Sequence, residues 1–394
     1  MIPEVRAKIE HIQLRSISEG YKKSKVGVIP DAWCCYQIHE CLSICNYERK
    51  PISEDVRKTI PGPYPYYGPT QAQGYIATYE SEGPAVLIGE DGDHFLKYKN
   101  QEMTMYVDGK YTVNNHAHVL RGTELCETKW FYYAYQHKSL FDAITRQGAG
   151  RYKLTKEALI KLSLQCPPIE EQKKIISILN TQDKVIKLKE KRLAEKQRQK
   201  KYLMQQLLTG KKRLPGFLKS WKTVELGEIF NYIQPTAYLV KTTDYDDSYK
   251  TPVLTAGKTF ILGYTNETEG VFTKVPVVIF DDFTTATKYV DFPFKVKSSA
   301  MKILTIKDGL SIVFAYEAMQ LIKFTVGGHE RHWISKYSCL TIDIPDIEEQ
   351  TAIAEVLSTA DREIDLLRQD IEQEKQKKKA LMQLLLTGIV RVKT

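Results

Sequence analysis

The chain has 394 residues, of which 42% are hydrophobic and 27% charged, so it can bury real cores and is not a disordered protein. Lys and Arg outnumber Asp and Glu by 57 to 48, and the formal net charge of +9 is compatible with a polyanionic partner without proving one. The charged N-terminus argues against a secretory signal, and the longest apolar runs, such as residues 275–280, are too short to cross a bilayer, so we expect a soluble, cytoplasmic protein with no membrane contact.

The first predicted element is a short helix over residues 4–20, which we place in an N-terminal helical segment of residues 1–24. A first globular domain then covers residues 25–166. It contains short β-branched and aromatic runs between Gly and Pro turns, which indicate small mixed sheets with some helix. The domain opens with a spaced motif: Pro30, Trp33, Ile38 and Glu40.

Four of the 7 cysteines lie close together at the start of this domain: Cys34, Cys35, Cys41 and Cys45. Adjacent cysteines are poor ligands of one ion, and no CxxC pair occurs. We interpret them as reduced thiols packed beside Trp33 and predict no metal site. Zinc is the less favoured alternative.

A long helix is predicted over residues 167–212. Pro167 stands at its start, where Pro is tolerated, and two Glu follow in the first turn, where the helix dipole favours acids. Apolar residues such as Leu179 and Ile186 recur at steps of three and four, and Gly210 follows the last of them as a C-terminal cap does. The charged remainder is interpreted mostly as a solvated helix face.

The same segment occurs again 178 positions later, where 21 of the 47 residues from 167 to 213 are identical. Agreement on this scale indicates a duplication. It predicts a second domain over residues 213–344 and a C-terminal helix over residues 345–394. The second domain opens with a motif like that of the first: Pro215, Trp221, Leu226 and Glu228.

Two matching apolar seams in one chain most simply pack against each other. Parallel helices would place both domains at one end, where they would collide, so the antiparallel arrangement is favoured. The predicted fold is α+β: two mixed α/β domains separated by two long helices that form an antiparallel coiled coil, with a pseudo-twofold internal repeat. Because the domains differ between the repeated landmarks, we expect them to touch different targets.

Catalytic motifs are incomplete in this sequence. Residues 148–150, "GAG", are too short for a dinucleotide loop, and "CPPI" at 166–169 lacks the polar first residue and the aromatic of an adenine methyltransferase motif. "AGKT" at 256–259 resembles the end of a P-loop, but Pro252 stands where the first Gly is needed. We predict no catalytic residues and no cofactor.

Two acidic clusters allow three interpretations. Glu90, Asp91 and Asp93 lie in "GEDGD", and Asp281 and Asp282 lie in "FDDFTT". Tight turns are the ordinary role of such residues, a carboxylate can accept a hydrogen bond from the cytosine amino group, and a metal-dependent nuclease is the least favoured alternative.

The repeated segments "PPIEEQ…LLTG" and "PDIEEQ…LLTG", the two Pro–Trp–Glu motifs, and domain stretches such as "PYPYYGPTQAQGYI" and "FDDFTTATKYVDFPFKVKSSAMKIL" resemble the specificity subunit of Type I restriction-modification systems. The resemblance covers essentially residues 25–394. It implies that each domain is a target-recognition domain reading half of a split double-stranded DNA site. It also implies that the helices act as spacer and docking site for two adenine-methylating subunits, joined by restriction and translocase subunits.

Polar and aromatic side chains in loops are the candidate DNA contacts, since Gln and Asn suit adenine, Arg suits guanine or phosphate, and Lys suits phosphate. In the first domain they are Tyr66, Tyr67, Gln71, Gln73, Asp91, Asp93, Asn115, Arg146, Arg151 and Lys153. In the second they are Lys258, Asn266, Asp281, Asp282, Thr284, Thr285, Lys288, His329, Arg331 and His332. The loops 146–153 and 327–333 rank highest for backbone contact.

The sequence predicts a DNA-reading subunit that places two methylating active sites on adenines of the two half-sites. The alternative is a duplicated coiled-coil adaptor that bridges two proteins without reading DNA. Each candidate residue can equally be a solvated or structural polar group.

Overall fold

The computed structural model describes residues 19–147, 151–255, 259–325 and 331–393. The described chain forms two compact units. The first unit runs up to Leu188 and includes the residues from Glu372 onward, and the second unit is Lys189–Ile371. The division falls inside both long helices, so each helix contributes one segment to each unit.

The first unit contains fifteen strands among its described residues: β1 Tyr21–Ser24, β2 Gly27–Pro30, β3 Cys34–Gln37, β4 Leu42–Ile44, β5 Pro61–Tyr67, β6 Ala72–Ile76, β7 Ser81–Glu82, β8 Ala85–Gly89, β9 Asp91–Gly92, β10 Thr104–Val107, β11 Lys110–Val113, β12 Ala117–Gly122, β13 Thr145–Gln147, β14 Arg151–Lys153 and β15 Ser163–Cys166. Its helices are α1 Ile38–Cys41, α2 Glu54–Thr59, α3 Thr128–Tyr135, α4 Lys156–Lys161, the first part of α5 Ile169–Leu207 and the last part of α8 Ile347–Leu386.

These strands form small sheets, as predicted. Their orders are β10-β8-β12-β4, β6-β5-β11-β7 and β13-β14-β9, with β1-β2 and β3-β15 as pairs. The pair β3-β15 joins the start of the domain to the residues that lead into α5. The core is centred on Trp33 and Trp130, both fully buried, whose rings meet edge to face with centroids 5.8 Å apart.

The predicted N-terminal helical segment is wrong for residues 21–24, which are strand β1. The antiparallel hairpin of β1 and β2 turns at residues 25 and 26, and β2 begins at Gly27, whose φ of +108° is a conformation that favours glycine. Most of the helix predicted over residues 4–20 lies outside the described residues.

The second unit contains these strands: β16 Lys222–Glu225, β17 Phe230–Ile233, β18 Thr251–Leu254, β19 Ile261–Thr265, β20 Val277–Asp281, β21 Thr287–Val290, β22 Lys295–Val296, β23 Met301–Ile306 and β24 Thr341–Ile344. Its helices are α6 Leu226–Ile229, α7 Ile312–Met319, the remainder of α5, and the larger part of α8 Ile347–Leu386.

The second unit repeats the junction of the first with a different interior. Strand β16 pairs with β24, as β3 pairs with β15, and the sheets β17-β23-β20-β21 and β19-β18-β22 fill the domain between them. Trp221 meets Phe314 edge to face with centroids 6.0 Å apart. These two aromatics stand where the first unit has Trp33 and Trp130.

The two predicted long helices are confirmed, and they pack together. In the first unit the Lys174 ammonium lies 2.6 Å from the Lys393 carbonyl oxygen, and Gln182 donates to the Glu374 carboxylate at 2.7 Å. In the second unit Lys189 pairs with Asp370, and Lys196 pairs with Glu363. In the second unit a rising number on α5 meets a falling number on α8, so these segments are antiparallel. In the first unit Lys393 lies beyond the end of α8, and its contact with Lys174, together with that of Gln182 and Glu374, gives the same chain direction. The coiled-coil geometry itself stays a prediction.

Within the described ranges, none of the helices combines the length and the apolar character that a membrane span requires.

Candidate nucleic-acid interface

A buried carboxylate joins three distant parts of the first unit. Glu171, in the first turn of α5, accepts hydrogen bonds from Arg391 at 2.6 and 2.7 Å and from the Trp33 indole at 3.2 Å. The Glu171 side chain has no exposed surface, and the ion pair beside it raises the pKa of Arg391. This cluster ties the first β-strands, the start of α5 and the residues after α8 together.

The second unit builds the same cluster from repeat-related residues. Glu349, in the first turn of α8, accepts from Arg213 at 2.6 and 2.5 Å and from the Trp221 indole at 3.1 Å. Arg213 and Arg391 are 178 positions apart, as are Glu171 and Glu349. The repeat contains this signal, since both arginines fall within the 47 aligned residues, but the sequence predicted no role for either of them.

A glutamine beside each buried glutamate positions the next helix. The Gln172 amide oxygen accepts from the backbone nitrogen of Glu127, the residue before α3, at 2.9 Å. The Gln350 amide oxygen accepts from the backbone nitrogen of Ser311, the residue before α7, also at 2.9 Å. Both glutamines donate to the carbonyl of the proline that starts their repeat. The repeated "IEEQ" sequence is therefore a structural anchor in both units.

The predicted C-terminal caps also occur in both units. Gly210 and Gly388 have φ values of +65° and +73°. A Cβ at Gly210 would come within 3.7 Å of the Trp221 ring, and one at Gly388 would meet Pro30 at 2.5 Å. Glycine is needed at the second position for space as well as for backbone conformation.

Beyond these anchors, the first unit presents a polar rim at the sheet β13-β14-β9. Asp91 and Lys153 are paired across β9 and β14, and His116 contacts the Asp91 carboxylate at 2.8 Å. Asn115 is exposed next to His116. The structure thus brings together Asp91, Asn115 and Lys153, three of the residues predicted from sequence, and adds His116, which sequence reasoning missed.

The Glu90 carboxylate forms ion pairs with cations of this polar rim. Its carboxylate lies 2.7 Å from Arg49 and 3.2 Å from Lys153. Burial alone would raise the pKa of Glu90, but the hydrogen bonds from Arg49 and Lys153 and the nearby His118 ring lower it below its ordinary value. Glu90 therefore stays ionised and orients the two cations.

Arg146 and Arg151 lie on the same small sheet, and both side chains are exposed. The rest of the loop 146–153 is only partly described. Asp93 is exposed, forms an ion pair with Lys97 at 2.9 Å, and precedes a short 3-10 turn. The Lys97 hydrogen bond lowers the pKa of Asp93.

The β5-β6 hairpin supplies the exposed amides. Gln71 and Gln73 are exposed, and the side-chain amide oxygen of Gln73 accepts from the side-chain amide of Asn114, next to the polar rim, at 3.3 Å. Tyr67 is half-buried, and burial raises its pKa. Tyr66 is buried, and its hydroxyl accepts from the Ile52 nitrogen and donates to the Lys50 carbonyl. The position of Tyr66 is therefore structural and does not suit contact with DNA.

In the second unit, the Asp281–Asp282 pair forms the turn after β20. Asp281 accepts from the Phe283 nitrogen at 3.1 Å and from the Thr284 hydroxyl at 2.6 Å. Asp282 accepts from the Trp333 nitrogen at 2.9 Å and lies 3.5 Å from the Lys302 ammonium. Both carboxylates are buried and bind groups of the turn and of the neighbouring segment. Of the three interpretations of this acidic pair, the structure therefore favours a role in the turn.

Asp282 also fixes the segment that carries Arg331. The Asp282 carbonyl accepts from the His332 nitrogen at 3.0 Å, which holds residues 331–333 beside the turn. Arg331 is exposed. His332 is fully buried against Phe324, so its ring is not positioned for contact with DNA.

The other predicted residues of the second unit divide by position. Thr284 and Lys288 are exposed at the β20-β21 hairpin, and Thr285 is half-buried with a φ of +58° in the turn. Asn266 is exposed after β19, in the other sheet. Lys258 and His329 lie outside the described residues.

Comparison with known proteins gives one consistent result. The family described as "Type I restriction modification DNA specificity domain" matches residues 30–197 and again residues 219–376. The specificity subunit of a Type I restriction enzyme from Escherichia coli is 55% identical over 140 residues, which is 34% of this chain and 34% of that protein. The chain therefore aligns with about a third of this relative.

Two further comparisons extend over nearly the whole chain. A Type I restriction enzyme specificity subunit from Methanocaldococcus jannaschii is 24% identical over 417 residues, covering 95% of this chain and 97% of that protein. The crystal structure of a Type I restriction-modification S subunit from M. genitalium superposes with a TM-score of 0.68 at 13% identity, covering 90% of this chain and 96% of the other. At that identity the superposition shows a shared fold.

Proposed function

The chain belongs to the Type I restriction modification DNA specificity family, and from this premise we propose that it reads a two-part DNA site and catalyses no reaction itself. One observation carries the proposal: the family domain occurs twice, on repeated anchors, with different polar side chains exposed between them. A repeated scaffold with divergent surfaces is what an adaptor for two different half-sites requires.

The exposed side chains divide by the DNA groups they suit. Arg146 and Arg151 in the first unit and Lys288 and Arg331 in the second are exposed cations suited to phosphate or guanine. Exposed amides at Gln71, Gln73 and Asn115 suit base edges. The net charge of +9 favours approach to DNA at any sequence.

Methylation of an adenine inside a duplex requires that the base be flipped out of the stack. We assign that step to two methylating partner subunits, with restriction and translocase subunits joining the same complex. This chain determines where on the DNA the two methylating subunits are placed. The duplicated anchors support two equivalent partner sites, and two methylating subunits per chain are expected by light scattering. A fully active complex with one such subunit would contradict the symmetric assembly.

The rival function is a protein adaptor without DNA readout. Titration of the chain with duplex DNA at several salt concentrations separates the two, because a protein that neutralises phosphates loses affinity steeply with salt. Arg151→Ala should reduce the slope of log affinity against log salt by about 0.9 if it contacts one phosphate. Lys201→Ala is the matched control, because Lys201 is an exposed cation on α5. Affinity independent of salt would favour the adaptor.

A domain exchange tests the assignment of half-sites. Residues 213–344 are replaced by the corresponding domain of another family member, and methylated adenines are mapped in cells carrying the chimaera and the partner subunits. We expect one half-site to change and the other to persist. A simultaneous change of both half-sites would show that the domains do not read independently.

A further inference from the structure

The first unit contains a cluster of three buried cysteines that its proposed function does not use. Cys41 ends α1, Cys126 precedes α3, and Cys166 ends β15. Their three sulfur atoms lie within 4.8 Å of one another, and their exposed fractions are 0%, 0% and 2%. Only Cys41 belongs to the group of cysteines that the sequence places close together. Cys34 and Cys35 lie outside the cluster.

Packing alone does not require sulfur at these places, because the second unit fills them with hydrocarbon. Cys126 and Leu310 each stand one residue before the backbone nitrogen that the repeated glutamine holds. Cys166 and Ile344 end the equivalent strands β15 and β24, and Cys41 and Ile229 end the equivalent helices α1 and α6. Leu310, Ile229 and Ile344 all pack in the core of the second unit.

The geometry matches a trigonal thiolate site. A zinc–thiolate bond is about 2.3 Å, so an ion centred among three sulfurs requires sulfur–sulfur distances of about 4.0 Å. The observed separations allow this with small side-chain shifts. Thiolates prefer soft ions, and a dry pocket disfavours ions that keep a water shell.

We propose that Cys41, Cys126 and Cys166 form a binding site for a thiophilic divalent cation of the zinc and cadmium type. Binding replaces three S–H protons by one ion, so that three thiols and M²⁺ give M(S-Cys)₃⁻ and three protons. The ion crosslinks three separate segments next to the Trp33 anchor. Its role is structural: it fastens β15, and hence the start of α5, to the beginning of the domain.

The test titrates the reduced, metal-free full chain with cadmium and follows the sulfur-to-cadmium charge-transfer absorption. We expect one equivalent to bind, and the melting temperature of the first unit to rise. In Cys126→Ala the affinity should fall at least 100-fold. Cys45→Ala is the matched control, because Cys45 is also buried but stands outside the cluster, and it should bind within threefold of the unchanged chain.

A second variant separates loss of the site from loss of folding. The triple substitution Cys41→Ile, Cys126→Leu and Cys166→Ile installs the side chains of the second unit, and folding is checked by circular dichroism. A triple variant that is folded and binds no cadmium supports the proposal. Equal binding by Cys126→Ala and the unchanged chain would overturn it. The proposal would also be overturned if the purified chain has two hydrogens fewer than its reduced form and takes up no metal, because two of the three sulfurs would then form a disulfide.

Discussion

The two units share their anchors and differ in what the anchors hold. In both, a buried glutamate accepts hydrogen bonds from a tryptophan and an arginine, and the next glutamine holds the start of a helix of eight residues. Between these points the sheets of the two units have different strand orders and different exposed side chains. The repeated residues are those that join segments far apart in the chain, while the surface between them is free to change.

One pair of contacts shows how an equivalent position can change its chemistry. The sixth residue of α3 is Tyr133, whose hydroxyl donates to Asp183 at 2.7 Å. The sixth residue of α7 is Glu317, which accepts from Lys200 at 2.9 Å. Asp183 repeats as Asp361, which also binds Lys200. Tyr133 thus binds the long helix that follows its own domain, whereas Glu317 binds the opposite long helix, through a lysine that also pairs with Asp361.

The largest expected effect concerns the length of the two helices, if they set the spacing of the half-sites. Removing Lys189–Glu195 together with Ile364–Asp370 deletes one heptad from each helix and keeps the seam in phase. Each helix shortens by about 10 Å, equal to about 3 base pairs. We expect the preferred gap to become smaller with both half-sites unchanged, as measured by methylation mapping. Weak binding at every spacing is also compatible, because the cut demands rotation around the duplex.

The pairing of Lys189 with Asp370 and of Lys196 with Glu363 defines which heptads are opposite each other. Deleting a heptad from α5 alone is the control and should disrupt the pairing. An unchanged gap in a folded, active double deletion would show that the helices do not set the spacing.

The next effect tests whether the two anchors are equivalent in energy. Glu171→Ala and Glu349→Ala should each destabilise their own unit by about 2–4 kcal/mol, because each leaves a tryptophan N–H and an arginine without their acceptor. The value lies toward the lower end because Arg213 and Arg391 are partly exposed. Urea unfolding followed by segment-resolved hydrogen exchange measures each unit separately.

The neighbouring glutamates provide matched controls. Glu170 and Glu348 are exposed in the same helical turn, so their replacement by Ala should cost no more than about 1 kcal/mol. A loss confined to one of the two buried glutamates would break the equivalence of the anchors.

A smaller effect concerns the different surfaces. Arg331→Ala should weaken DNA binding by roughly 1–3 kcal/mol and relax sequence choice at one position if Arg331 reads a base. Arg151→Ala should act on the other half-site only. Binding assays with each half-site scrambled in turn measure this. A uniform loss across all sequences would indicate a phosphate contact instead.

The smallest effect is a pH dependence that belongs to the first unit. His118 is buried, its Nε2 lies 2.8 Å from the Leu154 carbonyl and its Nδ1 lies 2.9 Å from the Asn46 amide nitrogen. Burial lowers the pKa of His118 despite the carbonyl and the Glu90 carboxylate nearby. A proton therefore binds more readily in the unfolded state, where the histidine pKa is about 6.5, and stability falls as the pH drops below that value.

His118→Gln should weaken this dependence between about pH 7 and pH 5 in the first unit, where the buried His94 also has a pKa lowered by burial, and leave the second unit unchanged. Hydrogen exchange at several pH values measures it. A variant with the same pH dependence as the unchanged chain would show that other groups cause it.

The sequence predicted much of the scaffold, because the relevant signals are local. Apolar residues at helical spacing and the glycine caps define α5 and α8. The surface was less accessible to prediction. Tyr66 and His332 were candidates by residue type, but both are buried, and a loop sequence does not show which side chains face inward.

By itself the sequence determined the duplication, the two long helices and the residues that recur in both copies. Only the tertiary structure decided that Arg391 meets Glu171 and that Cys41, Cys126 and Cys166 converge. The structure also decided which residues of the two long helices face each other. Lys189 corresponds to Leu367 in the repeat, but in the packed helices it contacts Asp370. Periodicity records which face of an element is buried, but the partner of that face depends on contacts between segments far apart in the chain.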